Sequence, residues 1–240
     1  MKAANQIILQ GRNTVHDALK SDKIISKIVI ADDVEYDDKI AEIESLAKTK
    51  GVPIAVISAR KMSNIAQGIS AVMEVVTRPS IESILKSKEN PVILLLNHLD
   101  YEQNLGAIMR TAWAAGVDAI VCAPNGVHEV TPVVSKVSQG AAAYVPVIAQ
   151  SLFQAIDVLK RNYIPVVGVE VGLGEVYYKQ NLLGPVAFLL GGEAKGLSDP
   201  LMRHCDVIIN IPINENLASL NVSIATAVIL FEKQRQEAQT

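Results

Sequence analysis

The sequence predicts an α/β protein with a parallel sheet in its larger, carboxyl-terminal part and a smaller α/β unit before it. After residue 91, continuous apolar strands alternate with helices, a rhythm typical of a parallel sheet covered on both faces. Polar clusters directly follow several of these strands, and ligands bind beyond the carboxyl ends of such strands. A polar segment over 77–91, with a proline near each end, separates the two parts.

The first part, residues 1–78, is predicted to alternate helices and strands. Helical spacing of apolar residues indicates the helices, and short apolar runs indicate the strands. In order, the predicted elements are a helix over 15–20, a strand over 27–31, a helix over 39–50, a strand over 53–57, a short helix over 60–65 and a strand over 71–76. The acidic stretch 32–38 is predicted to be a solvated loop that leads into the second helix.

The second part, residues 91–240, follows a predicted linker over 79–90 that carries one short helical stretch at 81–86. Its apolar runs are short enough for strands, and its longer periodic runs indicate helices. The predicted strands cover 92–96, 119–123, 145–148, 165–169, 186–190 and 207–211, and the predicted helices cover 105–115, 132–138, 152–161 and a terminal run from 219.

Composition narrows the class of function. Half of the 240 residues are hydrophobic, which suits a large core, and only 4% are aromatic, which disfavours a base-stacking platform. Residues 1–88 carry 13 Lys/Arg against 11 Asp/Glu, whereas the rest carry 9 against 14, so the first part is the better contact for nucleic acid. Two cysteines, no signal-peptide pattern and no membrane-length apolar stretch predict a soluble cytoplasmic protein.

Three polar clusters follow predicted strands. In the first, Asn104 can cap the next helix, and the exposed Arg110 can grip a phosphate or carboxylate with its guanidinium. The second, over 191–198, is rich in glycine, which lets backbone approach a ligand. In the third, Ser219, Asn221 and Ser223 stand where a helix begins and its first N–H groups lack partners. Each cluster alone is also explained by a capped helix or a glycine turn, but together they indicate one site.

Other chemistries find no support in the sequence. The four histidines lack metal-ligand spacing, so no metal site is predicted. The glycine cluster lacks the Gly and Lys spacing of a phosphate-binding P-loop, and no Gly-x-Ser-x-Gly elbow occurs. Lys179 and Lys195 are interpreted as solvated lysines.

At the three clusters the chain resembles the SpoU (TrmH-like) family of RNA ribose 2′-O-methyltransferases, in the SPOUT superfamily. The family's three motifs occur in order, over 104–117, 189–198 and 211–225. Residues 1–78 resemble the family's ribosomal-protein-like substrate-binding domain through Gly11-Arg-Asn13 and Gln67-Gly-Ile69. The whole arrangement is most similar to the 23S ribosomal RNA guanosine-2′-O methyltransferases.

The resemblance implies a trefoil-knotted methyltransferase domain over 91–240, bound S-adenosylmethionine, and a homodimer that shares its site. It also implies roles for particular residues. The implied catalytic residues are Asn104, Arg110, Glu193, Ser219 and Asn221; the implied cofactor-binding residues are Leu190, Gly191, Gly192, Ile211, Ile213 and Leu220. In the first domain, Arg12 and Asn13 are the candidate RNA contacts.

The family assigns the key role in catalysis to the arginine that Arg110 matches. To act as a base it would first have to lose its proton, at a cost of about 8 kcal/mol near pH 7. The favoured hypothesis is therefore a charged guanidinium that clamps the target phosphate, while positioning lets a phosphate oxygen take the hydroxyl proton. Asn104 would orient this arginine or the ribose.

The chain departs from the family pattern in two places. The first motif usually reads Asp-Pro-x-Asn, but here Asp100-Tyr-Glu-Gln-Asn104 lacks the proline and is one residue longer. In the third motif Ile213 and Glu215 replace the usual Met and Gly, and the glutamate is expected next to the cofactor. Four alternatives to this function remain. Two are enzymes of the same class, a transfer RNA methyltransferase and an antibiotic-resistance ribosomal RNA methyltransferase. The third is a non-catalytic RNA-binding or ribosome-assembly protein of the same fold. An unrelated α/β protein with capped helices is a further one.

Overall fold

The structure, a computed structural model, describes residues 5–21, 23–62, 65–75, 79–192 and 196–239. In chain order its strands are β1 (Asn5–Gln10), β2 (Ile24–Ala31), β3 (Ile54–Ile57), β4 (Ile69–Val75), β5 (Val92–Leu96), β6 (Ala119–Cys122), β7 (Val147–Ala149), β8 (Val166–Val169), β9 (Glu175–Val176), β10 (Val186–Leu190) and β11 (Val207–Asn210). Its helices are α1 (Arg12–Lys20), α2 (Asp38–Lys50), α3 (Ile81–Ser87), α4 (Glu102–Ala114), α5 (Pro132–Ser138), α6 (Leu152–Arg161), α7 (Asp199–Arg203) and α8 (Val222–Glu237).

The chain forms two compact units. The first unit contains residues 1–78 and 130–144, and the second contains 79–129 and 145–240. This division departs from the predicted partition, because α5 belongs to the first unit although the chain around it belongs to the second. The reason is local packing: α5 lies against β1, and the Ser135 hydroxyl donates a hydrogen bond to the carbonyl of Ile8.

The first unit is a four-stranded sheet in the order β1-β4-β2-β3. Strands β1 and β2 run antiparallel to β4, whereas β2 and β3 are parallel. Helices α1 and α2 pack together and bury Val15, Leu19, Ile40 and Ile43 in the core of the unit. The edge strand β1 was not predicted, and helix α1 begins three residues before its predicted start.

The second unit confirms the predicted α/β class with a parallel sheet. Its seven strands are ordered β7-β6-β5-β10-β8-β11-β9, and all neighbouring pairs are parallel. Strands β5, β6 and β10 are buried at every position, as expected when both faces of a sheet are covered. On one face, α3 and α6 contribute to a core that includes β5 and β10. Helices α4 and α8 pack against each other.

The register of the central strands brings four strand ends to one edge of the sheet. Leu96 pairs with Leu190, Leu190 with Val169, and Val169 with Ile209. The segments that follow β5, β10, β8 and β11 therefore leave the sheet side by side. All three polar clusters of the sequence belong to these segments or to the helices that they enter, so the edge positions the candidate site.

Several predicted bounds need correction. The short helical stretch predicted at 81–86 is confirmed as α3 and is one residue longer; the Ser80 hydroxyl caps it, and its Ile81 and Ile84 are buried in the core of the second unit. Helix α8 begins at Val222 rather than at 219, because Asn221 occupies the capping position. Helix α7 and the two-residue strand β9 were not predicted. Within the described residues, no helix is long and apolar enough to cross a bilayer.

The carboxyl end of α8 is fixed by a buried lysine. Lys233 is 2% exposed, and its ammonium donates to the carbonyls of Leu182 (3.1 Å) and Gly184 (2.7 Å) and pairs with Glu237 at 2.6 Å. The side chain of Gln236 accepts the N–H of Leu182 at 2.8 Å. These bonds tie the last turns of α8 to the segment that precedes β10, and so hold the helix in place.

Replacing this lysine should destabilise the protein much more than replacing an exposed one. The Lys233→Met variant leaves the carbonyls of Leu182 and Gly184 without their charged donor, so we expect a loss of about 2–4 kcal/mol of unfolding free energy. Urea unfolding followed by circular dichroism measures it. The matched control is Lys179→Met at an exposed position, which should change the same free energy by less than about 0.5 kcal/mol. Equal effects of the two substitutions would contradict this account of α8.

Candidate active site

A cavity of about 240 Å³ lies at the edge where β8, β10 and β11 end. All six residues predicted to bind a cofactor line it: Leu190, Gly191, Gly192, Ile211, Ile213 and Leu220. Ser219, predicted to be catalytic, lines it too. The second and third polar clusters thus form the walls of one cavity, as the sequence indicated, because their strands end at the same edge.

One wall of the cavity is glycine backbone that leaves no room for side chains. A Cβ atom on Gly191 would lie 2.2 Å from the carbonyl carbon of Gly196, and one on Gly192 would lie 2.4 Å from the carbonyl oxygen of His98. The N–H of Gly196 donates to the carbonyl of Gly192 at 3.1 Å, which closes the turn between them. Any larger residue at 191 or 192 would displace main chain, so the close approach itself requires glycine.

The first and third clusters meet through a pair of asparagines. The Asn221 side chain caps α8, because its Oδ1 accepts the N–H of Ser223 at 2.9 Å and the hydroxyl of Ser223 at 2.6 Å. Its Nδ2 donates to Oδ1 of Asn104 at 3.1 Å. Because the cap fixes Oδ1 of Asn221, the amide nitrogen must be the atom that faces Asn104.

Asn104 does not cap α4, contrary to the sequence prediction. The helix begins at Glu102, Tyr101 occupies the capping position, and the buried Asn104 lies in the first turn. Its side chain therefore does not cap the helix, and its Oδ1 accepts the hydrogen bond from Asn221 at the start of α8. Farther along the same helix Arg110 is exposed, and within the described parts of the chain its guanidinium has no hydrogen-bond or ion-pair partner. Glu193 lies outside the described residues.

Comparison with known proteins identifies this arrangement. The profile of the SpoU rRNA Methylase family matches residues 91–231, and the profile of an RNA 2′-O ribose methyltransferase substrate-binding domain matches residues 8–79. The chain belongs to the SpoU rRNA methylase family. The family match spans more than half of the chain and contains both the asparagine pair and the cavity.

The chain is also similar to individual proteins of known sequence or structure. A 23S rRNA (guanosine-2′-O-)-methyltransferase, RlmB, of Pseudomonas putida is 33% identical over 207 residues, covering 82% of this chain and 84% of the relative. The RlmB of Haemophilus influenzae is 39% identical over 158 residues, covering 65% of this chain and 64% of the relative. The crystal structure of the SpoU methyltransferase AviRb from Streptomyces viridochromogenes, in complex with AdoMet, superposes with a TM-score of 0.85 at 21% identity, covering 98% and 92% of the two chains.

Glu215, one departure from the SpoU pattern, does not itself line the cavity. It is exposed in a turn where the N–H of Leu217 donates to the carbonyl of Asn214 at 2.9 Å. Its φ angle is not positive, so the position does not require glycine. Ile213, the other substitution in this motif, does line the cavity.

The two candidate RNA contacts of the first unit differ in how far their side chains are available to bind RNA. The Arg12 guanidinium pairs with Asp37 and donates to the carbonyl of Glu35 at 3.1 Å, whereas Asn13 is exposed. The N–H of Ile40 and, after it, the charge of Arg12 lower the pKa of Asp37, so this carboxylate stays ionised at neutral pH. The backbone N–H of Arg12 donates to Oε1 of Gln67 at 2.8 Å, which brings together the two motifs of this domain.

Sequence reasoning missed part of the cavity wall. Val169, the last residue of β8, lines the cavity, and so do Glu170 and Val171 directly after the strand. The rule that ligands bind where strands end would have found Glu170, because it is the first polar residue after a predicted strand. The other missed lining residues are Ala218, Val222 and Ala225, and they carry no polar signal.

Cysteine and metal chemistry find no place among the described residues. Burial raises the pKa of Cys122 to about 12, and burial followed by the charge of Asp206 raises the pKa of Cys205 to about 11. Both thiols therefore stay protonated near neutral pH and are poor nucleophiles. Within the described ranges, no group of three or more His, Cys, Asp or Glu side chains is arranged to hold a metal ion.

Removing the Asn221 side chain should lower the free energy of unfolding more than an ordinary surface substitution does. Asn221→Ala loses both the helix cap and the bond to Asn104, so we expect unfolding free energy to fall by about 1.5–3 kcal/mol. Asn216→Ala, at an exposed position of the preceding turn, is the matched control and should stay within about 0.5 kcal/mol of the parent. Urea unfolding compares them, and a loss no larger than the control's would show that the asparagine pair does not stabilise the site.

Proposed function

We propose that this protein transfers a methyl group from S-adenosylmethionine to a ribose 2′-hydroxyl of RNA, and that its substrate is a guanosine of 23S ribosomal RNA. The observation that carries the proposal is the glycine-walled cavity beside the asparagine pair, both inside the SpoU family match. The 23S ribosomal RNA specificity rests on the names of the RlmB relatives. We place this reaction in the cytoplasm, where ribosomal RNA is accessible.

The cavity suits a ligand with both a flat apolar part and polar edges. Apolar contact comes from Leu190, Ile211, Ile213 and Leu220. The backbone at Gly191 and Gly192 carries no side chain, so its polar groups can form hydrogen bonds with a cofactor. S-adenosylmethionine, when bound, supplies an electrophilic methyl group on a positively charged sulfur. The protein's own contribution is to hold the ribose hydroxyl close to that group and to exclude water.

Arg110 has the properties of a phosphate clamp. It is exposed, it has no partner among the described residues, and it is carried by the same helix as Asn104. A guanidinium keeps its charge and offers two parallel N–H donors, which match two oxygens of one phosphate. Held in this way, the target nucleotide presents its 2′-hydroxyl at a fixed place, and a phosphate oxygen can accept the proton. Positioning of this kind can supply about 7–11 kcal/mol of the barrier.

A lysine at this position should not replace the arginine. Arg110→Lys keeps the charge but loses the paired donors, so we expect kcat to fall about 100-fold while the affinity for S-adenosylmethionine is unchanged. Methyl transfer to a 23S ribosomal RNA fragment measures kcat, and calorimetry measures the affinity. Arg161→Lys, at an exposed position on α6, is the control. Near-full activity of Arg110→Lys would rule out the clamp.

The glutamate at position 215 should leave cofactor binding almost unchanged. Because Glu215 is exposed and outside the cavity, Glu215→Gly should change the dissociation constant for S-adenosylmethionine less than about threefold. Calorimetric titration of both proteins measures it. Binding by the glycine variant but not by the parent would instead favour a non-catalytic RNA-binding protein that has lost its cofactor.

We further propose that the first unit captures the RNA, as a substrate-binding domain over residues 1–78. Exposed Asn13 would contact the RNA directly. Because Asp37 neutralises Arg12, this arginine would act mainly by holding the surface formed by residues 11–13 and 67–69.

An apolar stripe on α8 supports the homodimer that the resemblance implies. Ile224, Ala227, Val228 and Phe231 recur at helical spacing on one face, and Ile224 and Phe231 are 54% and 52% exposed. Such a stripe is unusual on a free helix and suits a second copy of the chain. The trefoil knot is likewise a proposal, supported by the closely packed segments around the cavity.

A charge in this stripe should separate the subunits. We expect the parent protein to have twice the 25.8 kDa mass of one chain, and Phe231→Asp to have the mass of a single chain. Light scattering after gel filtration measures both masses. Tyr163→Asp, at a fully exposed position elsewhere, should remain dimeric. A monomeric parent would contradict the homodimer.

The experiment that tests the proposed activity is methyl transfer in vitro. The purified protein is incubated with S-adenosylmethionine and either a 23S ribosomal RNA fragment or transfer RNA, and 2′-O-methylated nucleotides are mapped. Methylation of a guanosine in the ribosomal fragment supports the proposal, methylation of transfer RNA alone would move the protein to a different substrate, and binding of RNA without any methylation would favour an assembly protein.

A further inference from the structure

Glu170 is the only charged side chain among the described residues that line the cavity. The other described lining residues are glycines, apolar residues and Ser219. Glu170 lies directly after β8, and no motif of the family resemblance contains it. Its carboxylate therefore adds negative potential to the part of the cavity wall that the structure describes.

Three hydrogen bonds fix the position of Glu170, two of them to its carboxylate. Its Oε2 accepts the N–H of Leu197 at 2.6 Å, and its Oε1 accepts the N–H of Val171 at 3.2 Å. The backbone N–H of Glu170 donates to the carbonyl of Ile209 at 3.0 Å. These backbone N–H bonds hold the carboxylate at the cavity wall rather than in solvent.

The carboxylate also explains the glycine at position 196. A Cβ atom there would lie 2.6 Å from both carboxylate oxygens, and the residue has a φ angle of +59°. Gly196 closes the turn with Gly192, so Glu170 supports the far end of the glycine wall. A structural role and an electrostatic role are therefore combined in one side chain, and a test must separate them.

We propose that Glu170 makes the cavity prefer the positively charged methyl donor to its neutral demethylated product. This inference rests on the proposed function. The sulfur of S-adenosylmethionine carries a positive charge, which S-adenosylhomocysteine lacks, so the carboxylate attracts the donor and not the sulfur of the product. Over about 7–10 Å, and at an effective dielectric constant of about 40 in a cavity open to water, this attraction changes affinity roughly three- to tenfold. The consequence is that methyl transfer itself weakens binding and promotes release of the product.

The test compares two ligands rather than one. Calorimetry measures the dissociation constants of S-adenosylmethionine and S-adenosylhomocysteine for the parent and for Glu170→Gln, which keeps the volume and an acceptor for Leu197 but removes the charge. The expected result is a three- to tenfold weaker affinity for the donor and a change below about twofold for the product. Glu175→Gln, at an exposed position on β9, removes the same charge outside the cavity and should change neither constant.

The outcomes separate the possible roles. If Glu170→Gln weakens the binding of both ligands by the same factor, or changes the binding of neither, the electrostatic preference is refuted and only a structural role remains. Glu170→Asp keeps the charge, so it should preserve the ratio of the two constants even where it weakens both, and a lost ratio would also refute the proposal. If the parent binds neither ligand, the proposed function itself fails, which is a different result from an unchanged ratio.

Discussion

The contact of backbone with backbone at the glycine wall is the constraint on which the site depends. Gly191 lies against Gly196, and Gly192 lies against the carbonyl of His98, with no room for a Cβ atom at either place. The contact draws the segment after β10 against the segment after β5. It is possible only because Leu96 and Leu190 are paired in register, so the two segments leave the sheet at the same level. A one-residue shift of either strand would separate the walls of the cavity.

The wall formed by the segment between β11 and α8 depends on contacts at both ends of α8. At its beginning, Asn221 caps the helix and reaches Asn104 on α4; at its end, Lys233 and Gln236 hold the segment before β10. The irregular stretch that lines the cavity between β11 and α8 has little regular hydrogen bonding of its own. Its shape is therefore set by the strand before it and by the anchored helix after it. This arrangement allows Glu215 to project from a turn without disturbing the cavity.

The sequence predicted most of the sheet and of the cavity because their signals are local. Apolar β5 and β10 are recognisable as buried strands, and polar residues after such strands indicate a site in any parallel sheet. The capping of α4 could not be predicted, because the partner of Asn104 is Asn221, far away in the sequence. The ion pair between Arg12 and Asp37 could not be predicted either, because nothing in the local sequence distinguishes a paired arginine from an unpaired one. The place of α5 in the first unit depends equally on a distant contact, with β1.

The central claim is that the segments after β8, β10 and β11 form one cofactor site. Hydrogen–deuterium exchange of the intact protein, with and without S-adenosylmethionine, tests it directly, because bound cofactor slows amide exchange where it contacts or orders backbone. The account predicts slower exchange in residues 169–171, 190–192, 196–197 and 211–222, and unchanged exchange in β2 of the first unit. Slower exchange in the first unit with no change in these segments would contradict it.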